Sequence, residues 1–336
     1  MNTLSVERDV NPTHTAFRHE GREVLSNPRA ALVETPGDVQ TLLGFAEACG
    51  GPRSLVKTVA SGECTARRSF LLSCIAWVEV SLNDGTWCQG EPFYNVERML
   101  MADLVQMAND RKPGLNLVYL EAPEPLGALI KQAMEGADAT RYVVNMGDDG
   151  THFAVFDCRI LDGHASVILF EPTTFERMMA PAPTKLALRA KTAVQRACSL
   201  ETCHFLTVEM NLQRSVSECG VFSLALGKKL HKEHQALSSL HQLNVQRVFS
   251  DNPFMPPSEA AQYLPPSFYK HVQGRARMAE YLETRPDAEQ VILNKKQQTL
   301  RERVNGHMEA VGGRVISKSA HDKRLTELKA LERYLA

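Results

Sequence analysis

Apolar positions recur at helical spacing in two early stretches. Over Ser69–Leu82 they are Leu71, Leu72, Ile75, Val78 and Val80; over Val96–Asn109 they are Met99, Leu100, Leu104 and Met107. The pattern then shortens. Leu115–Leu120 reads as a strand, Pro125–Glu135 as a helix and Arg141–Asn145 as a strand ending in a turn over Met146–Gly150. The strand-like runs His152–Arg159 and Ala165–Glu171 flank Leu161-Asp162-Gly163, a hairpin signal. Met178–Ala197 predicts a Pro-broken loop and then a helix, and Cys203–Gln213 alternates as a strand. From Ser217 the pattern turns helical, with Val221, Leu224, Leu226 and Leu230 packing while Lys228 and Lys229 face out. Leu237–Phe249 predicts another helix, Asn252–Pro266 is Pro-rich and marks a boundary, and two or three helices follow it. Met1 to about Thr58 is polar and weakly periodic, with a short helix over Val39–Ala48 at most. This alternation predicts a mixed α/β architecture.

Composition narrows the picture. The 336 residues allow two domains, or one large domain with an appendage. With 43% hydrophobic and 23% charged residues, a core can form without disulfides or metal. A net charge of −1 excludes the strongly basic balance of a dedicated nucleic-acid binder. From Ala261 onward, however, fourteen basic residues outnumber nine acidic ones, so the tail is positive and the remainder negative. No apolar run approaches the roughly 18 residues of a membrane helix, and Met1–Gly37 lacks the apolar segment of a secretory signal peptide. Eight Cys occur without a CxxC pair or zinc-finger spacing, which argues against a disulfide framework or a zinc site and for a reducing compartment.

Three separated positions carry candidate chemistry. A hairpin centred between Leu161 and Asp162 would set His152 directly opposite Glu171, with Cα atoms about 4.5–5.5 Å apart. A carboxylate there holds an imidazole in one tautomer and stabilises its protonated form. Cys219, in Ser217-Glu218-Cys219-Gly220-Val221-Phe222, falls at a strand-to-helix junction. The positive end of a helix dipole favours a thiolate, especially beside a protonated His. Gly220 would let the backbone approach whatever the thiol attacks, and Ser217 suits a helix N-cap. Gln213, at the end of the preceding strand, could lend its amide N–H to an oxyanion hole with the Cys219 backbone N–H. Each residue alone also fits an ordinary structural role: a cross-strand polar pair, a buried Cys, a strand-end Gln. Together they form nucleophile, base, orienting acid and oxyanion donor, the parts needed for acyl transfer through a Cys219 thioester. Whether water or another nucleophile resolves that thioester stays open. A second constellation is basic: Lys270, His271, Arg275, Arg277, Lys295, Lys296, Lys318, His321, Lys323 and Arg324. Such charges are usually a solvated face; converging on one pocket they would suit a multiply phosphorylated ligand.

Thr151-His152-Phe153-Ala154-Val155, Leu169-Phe170-Glu171-Pro172 and Gln213-Arg214-Ser215-Val216-Ser217-Glu218-Cys219-Gly220-Val221-Phe222-Ser223-Leu224 resemble the YopJ family of bacterial type III secreted effectors. The likeness runs from about Asn95 to Arg324, through Tyr263-Leu264-Pro265 and Phe268-Tyr269-Lys270-His271. The resemblance implies an α+β fold: a papain-like cysteine-protease core, related to SUMO proteases and adenovirus protease, with a mostly helical regulatory region. It implies an acetyltransferase that moves acetyl from acetyl-CoA onto Cys219 and then onto Ser, Thr or Lys of host kinases such as MAP kinase kinases, blocking their phosphorylation. By motif match His152 is the general base, Glu171 orients it, Cys219 is the nucleophile and Gln213 completes the oxyanion hole. The basic tail, with N-terminal elements, would bind inositol hexakisphosphate as allosteric activator, and Lys270 falls where the family often carries an auto-acetylated lysine. The implied division is a leader with a secretion signal over 1–58, a catalytic core over 59–250 and a regulatory region over 251–336, working in the host cytoplasm without nucleic acid or a membrane span.

Two other readings share the same residues. A ubiquitin-like deconjugating protease would resolve the thioester with water. SUMO proteases typically have Trp after the His and Asp as the acid, where this chain has Phe153 and Glu171, so the comparison leans to the transferase. A catalytically idle module that masks kinases is the third reading, and retention of all four site residues counts against it.

Overall fold

Both early apolar stripes form helices, α1 (Ala66–Asp84) and α2 (Tyr94–Arg111), in a computed structural model that describes residues 66–88, 93–136, 139–175, 181–215, 217–311 and 313–336. The polar leader and its short helix over Val39–Ala48 lie outside the described residues, as does the start of the loop expected from Met178. The buried stripe of α1 is narrower than the sequence indicated: Leu71, Ile75 and Val78 are buried, whereas Leu72 and Val80 are exposed.

The chain continues through β1 (Leu117–Leu120), α3 (Leu126–Ala133), β2 (Ala139–Asn145), β3 (Phe153–Leu161), β4 (His164–Glu171), α4 (Ala182–Ala197), β5 (Cys203–Glu209), α5 (Cys219–Lys232), α6 (Ser238–Val245) and β6 (Phe254–Met255). Beyond these lie α7 (Pro257–Tyr263), α8 (Arg275–Thr284), α9 (Leu300–Asn305), the hairpin β7 (Met308–Val311) and β8 (Arg314–Ser317), and α10 (Ser319–Leu335). Strands β1 to β6 form one mixed sheet in sequence order. The β1–β2, β4–β5 and β5–β6 pairs are parallel, and β2–β3 and β3–β4 are antiparallel.

Alternate residues of β3 and β4 point to two separate cores. Phe153, Val155, Ile168 and Phe170 join α1, α2, α5 and α10 on one face. Ala154, Phe156, Val167 and Leu169 join α3 and α4 on the other. Helices on both faces explain why these strands read as nearly continuous apolar runs. The first core reaches from Phe70 to Leu331, so the C-terminal helix packs with α1 and α2 against α5.

One register expectation is corrected. Leu161 pairs with His164 and Val155 with Phe170, so the turn is centred between Asp162 and Gly163 and Glu171 is not directly opposite His152. Asp162 and Gly163 both have positive φ, 50° and 80°, as a two-residue type I′ hairpin requires. The shift is two positions, so His152 and Glu171 keep the same face as diagonal neighbours. Three further differences are local. Strand β5 stops at Glu209, leaving Gln213 in the irregular segment beyond it. The hairpin β7–β8 was not anticipated. Lys228 and Lys229 do not face out freely, their side chains being only 14% and 13% exposed.

Candidate active site

The topology brings three chain segments to one end of the sheet. Strand β3 runs antiparallel to β4, and β4 parallel to β5. The start of β3 and the ends of β4 and β5 therefore lie together. His152 immediately precedes β3, Glu171 ends β4, and the segment leaving β5 leads to Cys219 at the first turn of α5.

His152 Nε2 lies 2.9 Å from Glu171 Oε2, with both side chains buried. The other carboxylate oxygen, Oε1, accepts from the Thr173 backbone N–H and hydroxyl, each at 3.0 Å. The His152 backbone N–H donates to Asn145 Oδ1 at 3.2 Å, fixing the loop that enters β3. Burial opposes a charge on the imidazole, but the Glu171 carboxylate and the hydrogen-bonded Cys219 side chain outweigh it, and the pKa rises to about 10. With Nε2 committed to Glu171, Nδ1 is the ring nitrogen left to face the thiol. The three residues expected to act together are therefore brought together.

The start of α5 differs in detail from the expectation. Glu218, not Ser217, occupies the N-cap position, and it makes no side-chain cap hydrogen bond. The Val221 N–H instead donates to Glu97 Oε2, from α2, at 3.1 Å. The N–H groups of Cys219 and Gly220 have no hydrogen-bond partner among the described residues. A helix leaves its first N–H groups open in this way, and here they flank the thiol. The absence of a side chain at Gly220 serves Glu97: a Cβ there would sit 2.2 Å from Glu97 Oε2. Gln213 is buried, and its backbone N–H donates to Pro172 O at 3.0 Å. One side-chain N–H goes to Ser215 O at 2.8 Å, so an oxyanion contact from Gln213 falls to the second side-chain N–H. The loop holding Gln213 rests on Gln273, whose Oε1 accepts from the backbone N–H groups of Arg214 and Ser215 at 2.5 and 3.0 Å.

The ten basic positions do not converge as a set. Arg277 is fully buried, donating to Met210 O and Pro257 O and pairing with Glu280. Arg324 and His321 are buried beneath Cys219, against Glu97 and Glu218. Lys318 pairs with Glu309, Arg275 reaches Asn305, and Lys295 and Lys296 lie in an exposed loop. Lys270, His271 and Lys323 do come together, with cations the sequence did not single out for a ligand. Burial first, then Lys229, Lys323, Arg303 and Lys232, push the Lys270 ammonium down to about 7. Burial and the same neighbourhood push His271 well below its usual range. Lys112 is lowered by burial, then by Lys323 and Lys232, with Glu327 opposing. The added cations come from the C-cap of α2, from α5 and from α9, and no local pattern links them. Among the described residues no group of three or more His, Cys, Asp or Glu is placed to hold a metal, and no helix is long and apolar enough to cross a membrane.

The family model for YopJ serine/threonine acetyltransferases matches residues 71–330. The serine/threonine-protein acetyltransferase YopJ of Yersinia pestis is 40% identical over 264 residues, 78% of this chain and 90% of that protein. The protein of the same name from Yersinia pseudotuberculosis matches to the same extent. A solved structure of a deletion variant of AvrA with IP6 and CoA is 40% identical with a TM-score of 0.72, covering 79% of this chain and 98% of that one. HopZ1a in complex with IP6 shares the fold at 16% identity, with a TM-score of 0.63 over 88% of this chain and 98% of that one.

Proposed function

Because the chain belongs to the YopJ family of serine/threonine acetyltransferases, we propose that it is an effector that carries acetyl from acetyl-CoA through a Cys219 thioester. The acceptors are Ser, Thr or Lys side chains of host MAP kinase kinases or related kinases, whose phosphorylation is thereby blocked. The observation that carries the reading is the His152–Glu171 contact of 2.9 Å, made beside a cysteine at a helix N-terminus.

In the first half-reaction the Cys219 proton passes to His152. The sulfur attacks the acetyl carbonyl, a C–S bond forms, and the CoA sulfur leaves with the proton from His152. In the second, the acceptor hydroxyl or amine gives its proton to His152 and attacks the thioester carbonyl, and the Cys219 sulfur leaves. Glu171 stabilises the imidazolium that appears in both halves. The open N–H groups of Cys219 and Gly220, with Gln213 Nε2, face the charge that develops on the carbonyl oxygen.

Inositol hexakisphosphate is the proposed activator. The crowding of Lys229, Lys232, Lys270, Arg303 and Lys323 fits a polyanion: Glu233 and Glu327 offset the outer lysines, while Lys270 sits among like charges that an added counter-charge would relieve. Arg277, His321 and Arg324 have their side chains committed elsewhere and are not assigned to it. In this reading 59–250 is the catalytic core and 251–336 the regulatory region. Residues 1–58 carry a type III secretion signal, and the enzyme works in the host cytoplasm.

The test is transfer of labelled acetyl from acetyl-CoA to a MAP kinase kinase and to the enzyme itself, with and without inositol hexakisphosphate. Label that requires both the activator and Cys219 is the expected result, and Cys219→Ala should abolish it while leaving the fold intact. Cleavage of a ubiquitin-like fusion without any label would instead assign the site to hydrolysis.

A further inference from the structure

The chemistry above leaves the most deeply buried charges beside it without a role. Glu97, Glu218, His321 and Arg324 meet beneath Cys219, each no more than 4% exposed. They come from three distant parts of the chain: α2, the cap of α5 and the first turns of α10. Arg324 Nη2 donates to Ser217 O at 2.6 Å, and its Nε donates to Glu97 Oε1 at 2.8 Å. Glu97 Oε2 accepts from Val221 N–H at 3.1 Å. One ion pair thus grips the backbone two residues before and two residues after Cys219. Between these points, His321 Nε2 lies 2.6 Å from Glu218 Oε1, and His321 Nδ1 lies 2.8 Å from Arg324 Nη1. Phe93 stacks under the guanidinium at 4.5 Å, and Trp87 packs on the His321 ring at 5.1 Å.

Stability alone is a poor reason for this arrangement. Removing charges from water is costly, and apolar replacements of buried ion pairs are often as stable or more so. A helix start can be capped by a neutral Ser, Thr or Asn side chain without any ion pair. What the pair adds is direction. A guanidinium fork can hold a carbonyl and a carboxylate at fixed angles at once, which an ammonium cannot. Gly220 supplies the room, since any Cβ there would collide with the Glu97 carboxylate.

We propose that Arg324 and Glu97 are positioning residues: they clamp the backbone on both sides of Cys219, set its thiol against His152, and aim the N–H groups of Cys219 and Gly220 at the reacting carbonyl. The inference rests on the reading of Cys219 as nucleophile, and its test includes a readout that does not need the transfer reaction. Arg324→Lys and Glu97→Gln are made in the full chain and checked for folding by thermal unfolding. Alkylation of Cys219 by iodoacetamide is then followed against pH, with the site assigned by mass spectrometry, beside kcat and KM for acetyl-CoA.

A misplacement of about 1 Å at a reacting group costs about 100-fold, so kcat should fall by about that factor in Arg324→Lys while KM changes by about twofold or less. The alkylation profile should depart from that of the wild type, because the thiol no longer meets His152. A folded Arg324→Lys with wild-type kcat and a wild-type alkylation profile would overturn the clamp, as would a rise in KM alone. If Arg324→Lys does not fold, Glu97→Gln decides by the same measurements, since the amide keeps the shape and removes the ion pair. If the wild type transfers no acetyl, the transfer reading fails separately; the alkylation profiles still decide the clamp, a change supporting it and identity refuting it.

Discussion

Glu171 has both carboxylate oxygens committed, one to His152 and the other to the Thr173 backbone N–H and hydroxyl. Glu171→Gln keeps the shape and the Thr173 contacts but can present an N–H to the imidazole, which favours the wrong tautomer. Acetyl transfer should fall by about 10³–10⁴-fold, read as the single-turnover rate of Cys219 acetylation; a fall of less than about tenfold would remove Glu171 from the mechanism. The same contact is a stability statement. The His152 pKa is raised from 6.5 to about 10. A raised pKa stabilises fully below the unfolded value and is lost as pH climbs through the folded one. The difference in Tm between wild type and Glu171→Gln should therefore be largest just below pH 6.5 and shrink as the pH passes through about 10. The residue types of this site were legible in the sequence because the chemistry demands them and three separated motifs carry them in the order the family has. Thr173 and Asn145 were not: hydrogen bonds to a carboxylate two residues back, or to an N–H across a loop, leave no periodic trace.

Helices α2 and α10 show a signal that hydrophobic pattern alone passes over. Glu97 falls three residues before Leu100 and seven before Leu104, in the buried stripe of α2, and all three are buried. On α10, Arg324 falls four residues before Leu328 and seven before Leu331, and His321 three before Arg324 and seven before Leu328, all of them buried. A charge inside an apolar stripe must find a partner, since an unpaired buried charge is very costly, and these charges find one another. The hairpin was legible as a hairpin, yet its centre moved by one residue because Asp162-Gly163 supplies the two positive φ angles of a two-residue turn. Strands β7 and β8, four residues each and largely unburied, carry too little pattern to be read. Gly220 looked like room for substrate and is instead the point where α2 meets α5. In Gly220→Ala the new Cβ would lie 2.2 Å from Glu97 Oε2 and 3.0 Å from Glu97 Cβ. With the carboxylate held by Arg324 and Val221, the clash cannot relax by rotation of an idle side chain. Overpacking of this kind costs about 1–3 kcal/mol, so the urea midpoint should fall; an unchanged midpoint would show that α2 and α5 separate freely.

Across the whole molecule the charge asymmetry misleads if taken at face value. The positive tail supplies Lys270, Arg303 and Lys323 to the cationic cluster, but Lys112 comes from the C-cap of α2 and Lys229 and Lys232 from α5. Composition locates an excess of charge and cannot locate a pocket that several elements share. Lys270 reports on this pocket. Burial and its cationic neighbours lower its pKa from 10.5 to about 7. Between those values the unfolded chain binds more protons than the folded one, so this group makes stability rise with pH from about 7 toward 10.5. In the free protein the Tm of wild type relative to Lys270→Met should therefore climb over that interval. A bound polyanion favours the charged ammonium and raises its pKa, so binding near pH 8 should draw a proton from solution. Calorimetry of inositol hexakisphosphate binding in buffers of different ionisation enthalpy reads that proton directly, and Lys270→Met should remove it. Tm should also rise with ligand concentration by preferential binding to the folded state. Binding with no proton uptake would place the polyanion away from Lys270, and the absence of any Tm shift would leave the cluster without its proposed ligand.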